Sequence, residues 1–586
     1  MSLKTGKYIA ASVILIVGLG LAVYANSLAG EFVWDDINLI QDNSYIKNPA
    51  RIAKLFSQDI GAGAKQSCGF YRPLQMLTYM LDYSLWKFNV RGYHLSSIFW
   101  HILTALAVFW LVSILFGRGL LAALSGALFV IHPLHSEAVA YIAGRADPLA
   151  AFFILLAFIL YIKSDSANNG LYILALLSFA LALLSRENSL ILLALIPLYH
   201  YTFQKKIKIK RFWPFLALAM AYVLFRLTVA SGPAAQARYH ADLWSRTMGF
   251  FTALTNYFRL LILPLDLHME YGVKSAALSD GQALLGILLL FGGAIYAWRR
   301  RQKNRLVFFS LSWFLITLLP QANLYPINAY MAEHWLYLPS IGFFIIASAG
   351  LTALLQNKKT RLAALAGLLT IAGFYSFLTV KQNKCWQRAV TFYQRTLKYA
   401  PRSPKLYVSL GYGYYQAGQK EESAAALKKA LELDPANAAA YNNLGNIYSD
   451  LGKKDQAIVY FNQAVVHRPD YATAYYNLGS AYFDSGKKEQ ALAAFKKAIE
   501  IDPDYAQAYN NLATVYNYLG QSAEAIAAFK QAIKINPGYA MAHKNLAMIY
   551  FDQKMYTLAI KHYDAALANG YPADKQFLEK LNRFRQ

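Results

Sequence analysis

The sequence predicts an all-α chain in two parts, a polytopic membrane domain over residues 1–384 and a C-terminal solenoid of paired helices over residues 385–586. Three observations predict it. The composition is 57% hydrophobic and only 15% charged, with a mean hydropathy of +0.27. Apolar runs long enough to cross a bilayer recur as far as residue 380, and a strict 34-residue period then takes over. At 586 residues the chain is too long for one core. Its formal charge of +25 is spread over short loops between apolar runs, which points to a membrane rather than to nucleic acid. Two cysteines, Cys68 and Cys385, build no metal framework; they read as unpaired thiols, with a single bridge as the alternative.

Eleven runs are the expected crossings: 8–25, 97–116, 118–133, 147–163, 170–185, 188–203, 213–230, 282–298, 305–320, 335–355 and 361–380. The first reads as a retained anchor, since no small-residue cleavage site follows it. Loop charge orients the set. Lys4, Lys7, Arg118, Lys163, "KKIKIKR" (205–211), "RRRQKNR" (299–305) and "KKTR" (358–361) all fall on one side, which the positive-inside rule makes cytoplasmic. A full crossing at 247–264 would put "RRRQKNR" outside, so that run reads as re-entrant or interfacial. The N-terminus is then cytoplasmic, and the 26–96 loop and everything after 380 are external. No Asn-x-Ser/Thr acceptor occurs, which favours a bacterial cytoplasmic membrane over a glycosylating lumen.

In the second part Pro401, Pro435, Pro469, Pro503 and Pro537 keep the period. So do Leu410, Leu444, Leu478, Leu512 and Leu546, and Tyr414, Tyr448, Tyr482, Tyr516 and Tyr550. Gly411, Gly445 and Gly479 give way in step to Ala513 and Ala547. This is the tetratricopeptide pattern: two helices per unit, small residues where they cross, Pro at the close. Five repeats span about 404–573, a half repeat precedes them, and 574–586 caps the stack. Asn443, Asn477, Asn511 and Asn545 also recur, one residue before the repeat Leu. Asn both donates and accepts, so such a column can hold a peptide backbone without reading its side chains. The alternative is a solvated consensus position.

The chemistry-bearing residues cluster at the outer ends of the crossings. Asp35 and Asp36 sit in "EFVWDDINLI", just beyond the first crossing. They read either as a helix cap or as a general base whose affinity for protons is raised by apolar surroundings and a like charge. "HPLHSE" offers His132, His135 and Glu137, but Pro133 breaks the helical spacing that a metal site would use and no third His is near. Arg186 and Glu187 read as a structural pair. Glu333 and His334 in "MAEHWLYLPS" belong either to a site or to an interfacial belt with Trp335 and Tyr337.

An acidic pair in the first external loop resembles the GT-C glycosyltransferases, which use lipid-phosphate-linked sugars. "GFYRPLQMLTYMLDYSLW", "HPLHSEAVAYIAGRADPLAAFFILLAFILY", "LLSRENSLILL" and "AEHWLYLPSIGF" resemble the transmembrane and tetratricopeptide-repeat O-mannosyltransferase family over the whole chain. The resemblance implies transfer of a mannose-like hexose from a polyprenyl phosphate to Ser or Thr of a protein, read here as inverting; no cofactor is expected, with a divalent metal as the alternative. It implies Asp35 as the base, with Asp36 in support. Arg72 and Arg145 are the expected cations for the leaving phosphate, because a planar guanidinium binds two oxygens. Tyr71, His132, His135, Glu137, Asp147, Glu333 and His334 are the expected donor or acceptor contacts. The asparagine column is similar to the ladder of the O-linked N-acetylglucosamine transferases. Asp-Asp departs from the Asp-Glu of related enzymes, and "SREN" departs from a Lys-Glu pairing, which leaves sugar and lipid open. A membrane-anchored scaffold for envelope proteins and a GT-C enzyme acting on a lipid or glycan remain alternatives.

Overall fold

A computed structural model describes residues 3–64, 66, 68–164, 169–229, 242–271, 280–323 and 329–585; the described residues form helices and turns, with no strand among them. The chain separates into two compact units, Met1–Ala400 and Pro401–Gln586.

Among the described residues of the first unit six helices are long and apolar enough to span a bilayer: Gly6–Ala29, Val90–Phe116, Ile142–Lys163, Ile209–Val229, Gly281–Arg300 and Arg361–Trp386. Their ends follow local chemistry. The Asn89 side chain accepts from Arg91 N, and Gly117 closes the Val90–Phe116 helix in the left-handed region at φ 64°. A seventh span is formed if Gly119–Ile131 and Pro133–Ala140 count as one, bent by 52°. Proline lacks an N–H, so the helix stops before it, and the His132 side chain accepts from Leu134 N to start the next turn. Asn169–Ser185, Arg305–Gln321 and Ser340–Gln356 are apolar but shorter. Seventeen residues of Asn169–Ser185 rise about 26 Å, just under the hydrocarbon thickness.

The 247–264 run forms the helix Leu243–Ile262, capped by Asp242 and carrying Arg246 and Arg259. One face packs Phe250, Leu254, Tyr257 and Leu261 against Phe314, Leu318 and Leu336. It crosses the Gly281–Arg300 helix at Gly286, where a Cβ would meet Phe251 O at 1.9 Å. The 26–96 loop is folded: Phe32, Leu39, Ile40, Ile46, Leu55, Met76, Tyr79 and Tyr93 share a core with Ile142.

Residues 385–400, whose sequence continues the repeat texture, lie within the first unit. Trp386 and Phe392 are buried there, and Gln387 exchanges hydrogen bonds with Glu31 N and Asn26 O. The second unit runs as helix pairs from Pro404–Gln416 to Tyr556–Ala568. The periodic small residues mark the close crossings. A Cβ on Gly411, Gly445 or Gly479 would meet Leu427, Phe461 or Phe495 at 2.6, 2.5 and 2.8 Å. Ala513 and Ala547 fill the same position, fully buried. The helix Lys575–Asn582 closes the stack by inserting Leu581 into the last apolar cluster.

Candidate functional site

The two adjacent acids part company. Trp34 takes a left-handed φ of 54°, which is uncommon for a large residue, and the two acids follow it in helical backbone, where successive side chains diverge. Asp36 points inward and is fully buried. Its Oδ2 accepts from Val33 N at 3.1 Å and its Oδ1 from Ala143 N at 2.7 Å. It therefore pins the 26–96 loop to the Ile142–Arg145 turn, and it makes no side-chain cap for the short helix that follows. Burial pushes its carboxyl up to about 8, against those two N–H donors, with the Asp35 charge adding to the rise. Asp36 is thus an anchor of the loop, with no surface for a ligand. Asp35 is exposed. Its backbone N donates to Tyr141 Oη at 3.3 Å, and the Tyr141 hydroxyl is hydrogen-bonded to its carboxylate.

The two expected phosphate cations also separate. Arg145 is fully buried and committed: it pairs with Asp82 at 2.6 Å and donates to Ser97 Oγ, Thr78 Oγ1 and Tyr93 O, with its guanidinium over the Tyr79 ring. Such a residue clasps the loop to two helices and offers nothing to a phosphate, which corrects the expectation for Arg145. Arg72 is partly exposed and bidentate to Glu187, at 3.3 and 3.0 Å, with Phe70 beneath it. Burial would raise the Glu187 carboxyl, but Arg72 and Arg186 hold it down at about 2. Asp35 and the partly exposed Arg72 both lie within electrostatic reach of the Cys68 thiol.

Arg186 and Glu187 do not pair with each other. Arg186 pairs with Asp147, while Glu187 turns to Arg72. Adjacent residues in an extended backbone face apart, and Arg186 has φ −162° and ψ 141°. Arg186 and Asp147 line a small cavity with Asn188, Gln321, His334 and Trp335, walled by Ala150, Ile154, Ile191 and Leu338. His334 reaches this cavity from the "AEHW" turn. Glu137 holds it by both oxygens, accepting from His334 N at 3.0 Å and bonding His334 Nδ1 at 2.7 Å.

The other expected contacts are structural. Tyr71 is buried and donates to Phe56 O. His132 bonds Leu261 O, and His135 bonds Phe129 O and Ser340 Oγ, both fully buried. Glu333 is buried and accepts from His268 N and Tyr271 Oη; burial and the nearby Glu137 charge raise it well above the usual carboxyl range. No group of three or more His, Cys, Asp or Glu suited to a metal occurs among the described residues. Cys68 and Cys385 are both free thiols.

Of the asparagine column, all four members are half-buried on the first helix of their units. Asn477 donates to Asn442 and Asn545 to Asn510, each one repeat back, and Asn511 donates to Tyr476. The column therefore stitches neighbouring repeats together. Sequence reading missed Tyr141, Asp82, Asn188 and Gln321, and gave Glu187 the wrong partner. Asp82 carried a visible signal, a lone acid in the apolar run "TYMLDYSLW".

Comparison with known proteins adds two findings. The family models "Tetratricopeptide repeat" and "TPR repeat" match residues 472–505 and 506–539, and residues 411–452 and 445–486. The chain is similar to Protein O-mannosyl-transferase F38B6.6 of Caenorhabditis elegans, 26% identical over 72% of this chain and 63% of that protein. It is likewise similar to Protein O-mannosyl-transferase TMTC3 of Homo sapiens, 26% identical over 68% of this chain and 48% of that protein. The chain thus spans about half to just under two thirds of the length of these relatives. Among solved structures, a crystal structure of MamA is 33% identical, covering 27% of this chain and 94% of that one, with a TM-score of 0.26. The chain is thus a multi-pass membrane protein with tetratricopeptide repeats, distantly similar to protein O-mannosyl-transferases.

Proposed function

We propose that this chain is an inverting membrane glycosyltransferase with a GT-C-type membrane domain, moving a mannose-like hexose from a polyprenyl phosphate to Ser or Thr of a protein. The observation that carries the reading is the exposed Asp35, hydrogen-bonded to Tyr141 on a folded loop. The likeness to protein O-mannosyl-transferases supports the reaction class.

Asp35 takes the proton of the acceptor hydroxyl as its oxygen attacks the anomeric carbon. The bond from that carbon to the phosphate oxygen breaks on the opposite face, and the electron pair leaves with the lipid phosphate. Arg72 keeps Nε and Nη2 on Glu187 and turns Nη1 to the departing oxygen. The cavity lined by Arg186, Asn188, Gln321 and His334 takes the polar head of the donor, and its apolar wall takes the start of the lipid. The repeats hold the acceptor along Asn443, Asn477, Asn511 and Asn545. In this reading the shorter apolar helices and the Leu192–Thr202 helix complete eleven crossings. The N-terminus is cytoplasmic, and Asp35 and the repeats lie outside a bacterial cytoplasmic membrane.

The test is transfer from a panel of polyprenyl-phosphate hexoses to peptide, following released lipid phosphate. Asp35→Asn keeps the side chain's size and removes the proton acceptor, so the rate should fall by about 10²–10⁴ with the fold intact. Wild-type turnover in that variant would show that Asp35 is not the base.

A further inference from the structure

We propose that Tyr141, backed by Trp386 of the segment that leads into the repeats, positions the Asp35 carboxylate for transfer. The inference rests on the reading of Asp35 as the base. It makes residues 384–399 a working part of the membrane site rather than a linker.

Tyr141 touches Asp35 twice, accepting from its backbone N at 3.3 Å and hydrogen-bonding its carboxylate. Its hydroxyl is held well above the ordinary tyrosine range by burial and by the Asp35 and Asp36 charges, so it stays protonated and donates. An exposed aspartate otherwise samples several rotamers; one fixed donor selects among them. Tyr141 is itself fixed by stacking. Its ring lies on Trp386 at 5.0 Å and 17°, and Trp386 lies on Phe392 at 4.8 Å and 28°. The same segment grips the other side of the acid, because the Trp34 ring meets Phe392 at 5.9 Å and Tyr393 at 5.7 Å. Hydrogen bonds tie this segment to the loop base: Glu31 N donates to Gln387 O, Gln387 Nε2 to Asn26 O, and Asn383 Nδ2 to Val23 O. Trp34 and Asp35 are thus flanked by Phe392, Tyr393 and Tyr141, with Trp386 stacked between Tyr141 and Phe392, so the chain brings three distant stretches together here. Asp36 and Cys68 also lie within electrostatic reach of Asp35.

The test compares Tyr141→Phe, Trp386→Ala, Trp386→Phe and the Tyr141→Phe/Trp386→Ala pair in the full chain, with Asp35→Asn alongside. Tyr141→Phe keeps the stack and removes only the hydroxyl. Its kcat should fall roughly 10–100-fold, as for a displaced catalytic group, with donor KM within about twofold. The acid limb of its kcat–pH profile should move to higher pH, since a carboxylate that loses a donor holds its proton more tightly. Trp386→Ala should match it, and the pair should be no worse than either. Trp386→Phe keeps a ring to stack and loses no hydrogen bond, because the indole N–H has none among the described residues, so it should recover most of the loss. Tyr141→Phe with wild-type kcat and an unmoved limb, beside an inactive Asp35→Asn, would overturn the inference. An Asp35→Asn enzyme with wild-type turnover would overturn the base assignment instead, whatever Tyr141 does.

Discussion

Arg145 and Arg72 look interchangeable in the sequence, and one substitution separates them. Arg145→Met keeps an unbranched apolar stem and removes the guanidinium. Four hydrogen bonds go with it, to Ser97, Thr78, Asp82 and Tyr93. The larger cost is the acid left behind: Asp82 is 6% exposed and keeps only Ser96 Oγ at 2.6 Å. Removing one partner of a buried ion pair costs about 3–5 kcal/mol, or two to nearly four powers of ten in the unfolding equilibrium. Thermal unfolding of the purified protein in detergent should show a large fall in midpoint. Asp82→Asn added to Arg145→Met should restore at least half of it, because the orphaned charge is gone while the Ser96 contact survives. The donor KM of whatever folds should stay close to wild type, since Arg145 faces no ligand. An Arg145→Met protein that melts like wild type and needs tenfold more donor would refute this reasoning and return Arg145 to the phosphate.

Three further outcomes are expected. Asp36 has its folded carboxyl raised to about 8 from an ordinary value of about 3.9, so between these pH values the folded chain holds a proton that the unfolded chain has released. Its contribution to stability is therefore full below about pH 4 and lost as pH rises towards 8; melting midpoints should fall across that window, and Asp36→Asn should flatten the curve. Asn477→Ala and Asn545→Ala should each cost about 0.5–1.5 kcal/mol through the lost bond to the preceding repeat. They should also raise the acceptor KM, and an unchanged KM would leave the column as stitching alone. A cysteine placed at Lys303 should resist an impermeant thiol reagent added outside; labelling there would show that Leu243–Ile262 spans the membrane and would invert the second unit.

What the sequence determined by itself is whatever repeats or runs locally. The 34-residue period predicts the helix pairs, because each unit needs the same small residue at Gly411, Gly445 and Gly479 to let two helices touch. Apolar runs predict membrane helices because a bilayer leaves no other partner for the backbone. The break at Pro133 follows from one missing N–H. The acidic pair was visible as a place, since two carboxylates at a membrane boundary are costly. Which of the two faces solvent was not, because that depends on the backbone turn at Trp34 and on Ala143 N, 107 residues away. Tertiary structure alone decided the pairing of charges. Asp82 claims Arg145 across 63 residues, Glu187 claims Arg72 across 115, and Arg186 turns from its neighbour to Asp147. A guanidinium has the same letter whether it is sequestered or poised, and only the arrangement of distant carboxylates in a low-dielectric interior settles which it is.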